Sequence, residues 1–191
     1  MLTESAARWL LVLHTGLGVA AVGAATHLVV WLRKERRGAG ALRSVRRFAV
    51  ITFVLQILAF LAGNVMYPTY KVQVRSAYLE NAAALASDHT ARQAEYDKLA
   101  TREGTVAPRG EATSAMVKRA VKAARWFDVK EHWVALGVIT CAGLVLVLML
   151  WDPRRDGRAI EPVVMSLAYL VAATLWLGAV IGVLTASWRA V

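Results

Sequence analysis

His14 and His27 lie inside the first long apolar run of this chain, Gln56 and Asn64 inside the second, and His132 at the edge of the third. Polar groups in such surroundings are costly to keep, so each is read first as a site. An imidazole there can ligate a metal, relay a proton or hydrogen-bond a neighbouring helix. His14 and His27 are too far apart to share one ion. Their separation amounts to roughly 20 Å along a helix and about 140° around it. His89, in the polar middle of the chain, reads as a solvated surface residue.

The elements that must position these groups follow from composition and hydropathy. The chain has 191 residues, 58% of them hydrophobic, and a mean hydropathy of +0.47. It also carries 23 Lys and Arg against 13 acidic residues, a net charge of +10. The two properties coexist because the charges gather in the connections. Four apolar segments result, from about Trp9 to Leu32, Phe48 to Tyr67, Trp133 to Trp151 and Val163 to Trp188. Each is long enough to cross a hydrocarbon core of roughly 30 Å as a helix. The first has one base and one acid before it and its basic cluster after it, so it reads as a permanent span rather than a cleaved signal. Trp9, Trp31, Trp133, Trp151, Trp188 and Tyr67 fall near span ends, where amphipathic rings prefer the headgroup region.

The fold expected is an all-α integral membrane protein, a four-transmembrane-helix bundle with an extramembrane helical hairpin between spans 2 and 3. Residues 1–67 hold spans 1 and 2 with their loop, 68–130 the hairpin, and 131–191 spans 3 and 4, all as one structural unit. The loop Arg33–Arg47 has seven basic residues against Glu35, and Arg154, Arg155 and Arg158 lie in the last connection. The positive-inside rule places both loops in the cytoplasm of a bacterial-type plasma (inner) membrane, with both termini and residues 68–130 outside. The lipid bilayer is then the first partner. Anionic lipid headgroups at Arg33–Arg47 are the second, favoured over nucleic acid because that loop abuts a span. Tyr67, Tyr70, Val74, Ala77 and Tyr78 recur at helical spacing and carry the second span past Pro68. Val117, Ala120, Val121, Ala124 and Phe127, capped by Thr113 or Ser114, do the same for a helix entering the third. The turn between them is expected at Thr105–Gly110.

This orientation brings His14, His132, Asn64 and Tyr67 toward one outer level, the candidate cofactor-binding set. His14 and His132 would be the metal ligands, two imidazoles clamping the iron of a haem b. Gly16, Gly18, Ala21, Gly23 and Ala25 would leave room for a flat macrocycle, although small residues also let helices pack closely. In helix count and histidine placement alone the arrangement is similar to small four-helix membrane b-type cytochromes, which implies an electron-transfer subunit with an outer-face site. Because His14 lies about 9 Å deeper than the outer boundary and His132 almost at it, a shared haem requires helix tilt or a later start to the third span. The alternative is a non-catalytic membrane subunit or scaffold whose outer hairpin docks a membrane or outer-face protein partner. A ligand sensor ranks below both, since the inner side offers only two short loops. At the inner level His27 has Met165 and Tyr169 nearest in depth, and a His27–Tyr169 hydrogen bond is the simplest outcome.

Other chemistry is poorly served. Zinc spacing, phosphate loops and nucleophile elbows are missing from the sequence, and Cys141 has no second cysteine to pair with. Glu4, Glu131 and Glu161 lie outside or at the edges of the spans, so ion pumping by this chain alone is not expected.

Overall fold

A computed structural model describes residues 2–106 and 113–186 of the chain, and every regular element among them is helical. Four helices are long and apolar enough to cross a membrane. The first, α1 (Glu4–Arg36), starts where the Thr3 hydroxyl accepts the Ala6 N–H. Glu4 sits in its first turn and Arg33, Lys34 and Arg36 in its last, both complementing the helix dipole. Its 33 residues span about 50 Å, more than a hydrocarbon core requires.

Helix α2 (Leu42–Thr69) contains Pro68 and continues without a break into a π-helix, Tyr70–Leu79. Proline supplies no N–H and crowds the preceding turn, and the hydrogen-bond pattern widens just after it. The span therefore does run past Pro68, as the tyrosine spacing predicts. The chain then breaks at Glu80–Asn81, which the sequence reading did not anticipate. The Asn81 side-chain oxygen accepts the N–H groups of Ala83 and Ala84, both at 3.1 Å, and starts α3 (Ala82–Glu103). Gly104, at φ +65°, ends α3 in the left-handed conformation that glycine adopts without a Cβ penalty. Most of the expected Thr105–Gly110 turn lies outside the described residues.

Helix α4 (Thr113–Leu150) is one rod of 38 residues. Ala120 and Ala124 of the expected stripe are buried against Leu79 and Leu85, with Val74, Tyr78 and Val117 packed around them. Helix α5 (Glu161–Ala186) completes the set.

Helix α1 packs on α2 and α5, and α4 packs on the same two, so α1 and α4 occupy opposite corners of the bundle. The main core joins Ala21, Ala25, Leu28 and Leu32 to Val45, Ala49, Leu144, Leu148, Val164 and Val171. Cys141 is buried in it as a small packing residue. Around this core the helices present Val19, Ile139, Leu150 and Val183, each about two-thirds exposed. An apolar exterior of this kind suits lipid and is untenable in water.

The loop-side end is closed by polar contacts. Arg46 Nε donates to the carbonyl oxygen of Leu148 at 2.7 Å and its Nη2 to that of Trp151 at 2.8 Å, capping α4. Trp151, expected at the membrane boundary, is buried instead, with its indole N–H donating to the Gly157 carbonyl.

Candidate functional site

His14 leaves α1 toward α2. Its Nδ1 lies 2.8 Å from the carbonyl oxygen of Ala59, which can only accept, so Nδ1 carries the proton. The ring rests on Gly63, where a Cβ would stand 3.2 Å from its Cε1. A helix-to-helix hydrogen bond thus ties α1 to α2 at a position where the opposing side chain is absent. Ala59 precedes Gly63 by one helical turn, which is why one imidazole meets both.

His132 is exposed, and its Nδ1 is 2.8 Å from the Asp128 carbonyl oxygen on its own helix. Asn64 is exposed and donates to the Phe60 carbonyl at 2.9 Å, again within one helix. Tyr67 stacks on Tyr70 with centroids 6.5 Å apart. Among the described residues no hydrogen bond or ring contact joins His14, His132, Asn64 and Tyr67 to one another, and no group of three or more His, Cys, Asp or Glu gathers.

Just past Tyr67 the contacts tighten. Tyr70 stacks on Phe127 of α4 with centroids 3.9 Å apart. Arg75 is clamped between Asp128, at 2.6 Å, and Glu80, at 2.8 Å. This clamp was not read from the sequence. Its signal was Arg75 on the tyrosine-bearing stretch and Asp128 beside Phe127, but charge alone does not show which helices meet.

Two other polar groups of the spans also find structural settings. Gln56 is 1% exposed, and neither its amide nitrogen nor its oxygen bonds another protein group. It lies where α2, α4 and α5 meet at Gly137. A Cβ there would fall 2.8 Å from Gln56 Nε2 and 2.5 Å from Thr174 Cγ2. His27 stacks on Phe48 at 5.4 Å, while the Tyr169 hydroxyl accepts Arg33 Nε at 2.7 Å, so the simple His27–Tyr169 bond does not form. His89 is half-buried, with Nε2 enclosed, rather than fully solvated.

The basic loop divides in two. Arg33, Arg36 and Arg46 are engaged with Tyr169, Glu161 and the end of α4. Arg37, Arg43 and Arg47 have no side-chain partner among the described residues and keep their charge for the surroundings. Comparison with protein-family models, with curated proteins and with solved structures returns no match to this chain.

Proposed function

We propose that the chain is a non-catalytic multi-pass membrane subunit whose α3-side helices dock a partner protein outside a bacterial-type inner membrane. The observation that carries this reading is the clamp between the two span extensions. Tyr70 on Phe127 and Arg75 on Asp128 fix the continuation of α2 against α4, and Leu79, Leu85, Ala120 and Ala124 close a second small core there. A lipid-embedded bundle needs no such head for its own packing. On it α3 presents Tyr96 and Leu99, each 44% exposed and one turn apart, as an amphipathic contact face. The free guanidinium groups of Arg37, Arg43 and Arg47 hold the opposite end at anionic headgroups.

The test is site-specific photo-crosslinking at Tyr96 in cells. One discrete protein that co-purifies in fixed ratio, and is lost in Leu99→Asp, supports the reading. Adducts only with lipid or with a second copy of the chain overturn it.

A b-type haem is the second reading, and one observation favours it. His14 and His132 both direct Nδ1 at a carbonyl, the arrangement that leaves Nε2 with the lone pair an iron takes. The pair nevertheless does not fit a shared bis-histidine site here. His14 lies on Gly63 with its Nδ1 bonded to Ala59, and His132 is exposed. A Soret band in purified protein, lost in both His14→Ala and His132→Ala, would reinstate haem over the docking reading.

A further inference from the structure

Where α4 runs past the outer end of α5, the two helices leave an open groove of about 280 Å³. Arg119, Lys122 and Trp126 line it from α4, and Leu177, Val180 and Leu184 from α5. The levels of these residues follow from the antiparallel packing. Lys130 Nζ lies 3.2 Å from where a Gly182 Cβ would stand, and Val134 touches the Gly178 position in the same way. Lys122 is two helical turns beyond Lys130, roughly 12 Å further out. The basic groups therefore form the outer rim, and the leucine and valine floor descends along a membrane-crossing helix. Trp126, 46% exposed, stands between the two, at the depth an indole prefers in a bilayer.

We infer that this groove is a binding site for an anionic glycerophospholipid of the leaflet on the α3 side. Charge runs the right way for that occupant: a phosphate meets Lys122 while an acyl chain lies over Leu184, Val180 and Leu177. The volume falls just short of enclosed small-molecule sites, which begin near 300 Å³, and an open trough of this size takes one chain. The inference rests on the membrane-spanning reading of α4 and α5 but not on the docking of a protein partner.

The experiment uses the full chain in nanodiscs and follows Trp126, its signal isolated as the difference between the wild type and Trp126→Phe. Brominated-chain phosphatidylglycerol quenches this signal at a lower mole fraction than brominated-chain phosphatidylcholine. Lys122→Ala reduces the preference about fivefold, the effect of removing one basic residue at a lipid surface. Lys71→Ala, the same charge loss outside the groove, leaves it unchanged. Arg119 is engaged within the chain and is left in place so that the fold is not disturbed. Equal quenching by both lipids, or equal effects of the two lysine variants, overturns the site. Displacement of the lipid by millimolar glycerol phosphate would overturn it in favour of a simple anion site. Release of the chain from membranes by alkaline carbonate would instead overturn the spanning reading itself.

Discussion

His14 donates its Nδ1 proton to the carbonyl oxygen of Ala59 across the α1–α2 contact, 2.8 Å away. A carbonyl inside an α-helix already accepts from its own ladder, so the imidazole uses its second lone pair. The bond is therefore added to the helix rather than taken from it. His14→Ala removes this bond and leaves a gap above Gly63, and interhelical bonds in membrane proteins average about 0.6 kcal/mol. Denaturant titration in micelles is expected to show a loss of about 1 kcal/mol, the excess coming from the gap. A loss many times larger, accompanied by loss of a visible chromophore, would point to the haem reading.

Among the glycines inside the four long helices, Gly137 is predicted to be the least replaceable. An alanine methyl there would stand 2.5 Å from Thr174 Cγ2 and 2.8 Å from Gln56 Nε2, inside both contact radii. Gly137→Ala should cost about 1–3 kcal/mol by overpacking. Thr174→Ser deletes the nearer methyl, so the double variant should recover part of that loss. Additive losses in a double-mutant cycle would contradict this geometry.

Arg46 has a role that lysine cannot fill. Its fork reaches two carbonyl oxygens at the end of α4, Leu148 and Trp151, through two different nitrogens. A lysine presents one ammonium on a flexible four-carbon stem, without the rigid fork that spans two acceptors. Arg46→Lys is expected to lose about half of the effect of Arg46→Ala, itself about 2 kcal/mol for charge-assisted bonds. Faster hydrogen exchange should be confined to the last turn of α4.

The head clamp can be separated into its parts. The Arg75–Asp128 pair is partly exposed, so a cycle of Arg75→Ala and Asp128→Ala should give a coupling of only about 0.5 kcal/mol. Tyr70→Ala, which removes the stack on Phe127, should cost more, about 1 kcal/mol beyond the lost burial. The reverse order would mean that charge, not ring contact, sets the register.

On the loop side, Arg155 hydrogen-bonds the Asp156 carboxylate and the Asp152 N–H adds a second bond, which together hold Asp156 below the usual carboxylate range. Because the folded value is depressed, its stabilising effect is complete above the unfolded value and is lost as pH falls through the folded one. The Trp151 indole N–H signal, which reports on the bond to Gly157, should stay constant from neutral pH down to about pH 4 and broaden only below it. Asp156→Asn should flatten that response. Broadening near pH 7 would assign it to another group.

Hydropathy made the four long helices legible because a lipid exterior leaves an apolar signal on every face. The unbroken entry of α4 was also readable, from the Val117–Phe127 stripe and the lack of a breaker beneath it. The start of α3 was not, because Asn81 looks the same as a surface residue and as a cap until the next N–H groups turn toward it. Nor was the π-helix, whose wider turn leaves the tyrosine spacing compatible with an ordinary helix. For the candidate site, depth was legible and azimuth was not. His14 and His132 could be placed near one level, but which helices stand at opposite corners depends on how side chains interlock, as at Gly137 and Gly182. The partner of His14 is a backbone atom, and no residue type announces it.

The passage from α2 into its π-helix has a mechanical side. From Leu42 to Leu79 the chain contains no joint, and the α-helical part alone, 28 residues, measures about 42 Å. A lever of that length converts a tilt of about 10° into a sweep of roughly 7 Å at its tip. Tilting is one way a span longer than the hydrocarbon core meets a thinner bilayer, and α3, joined to the far end of this rod and clamped with it to α4, would move with it.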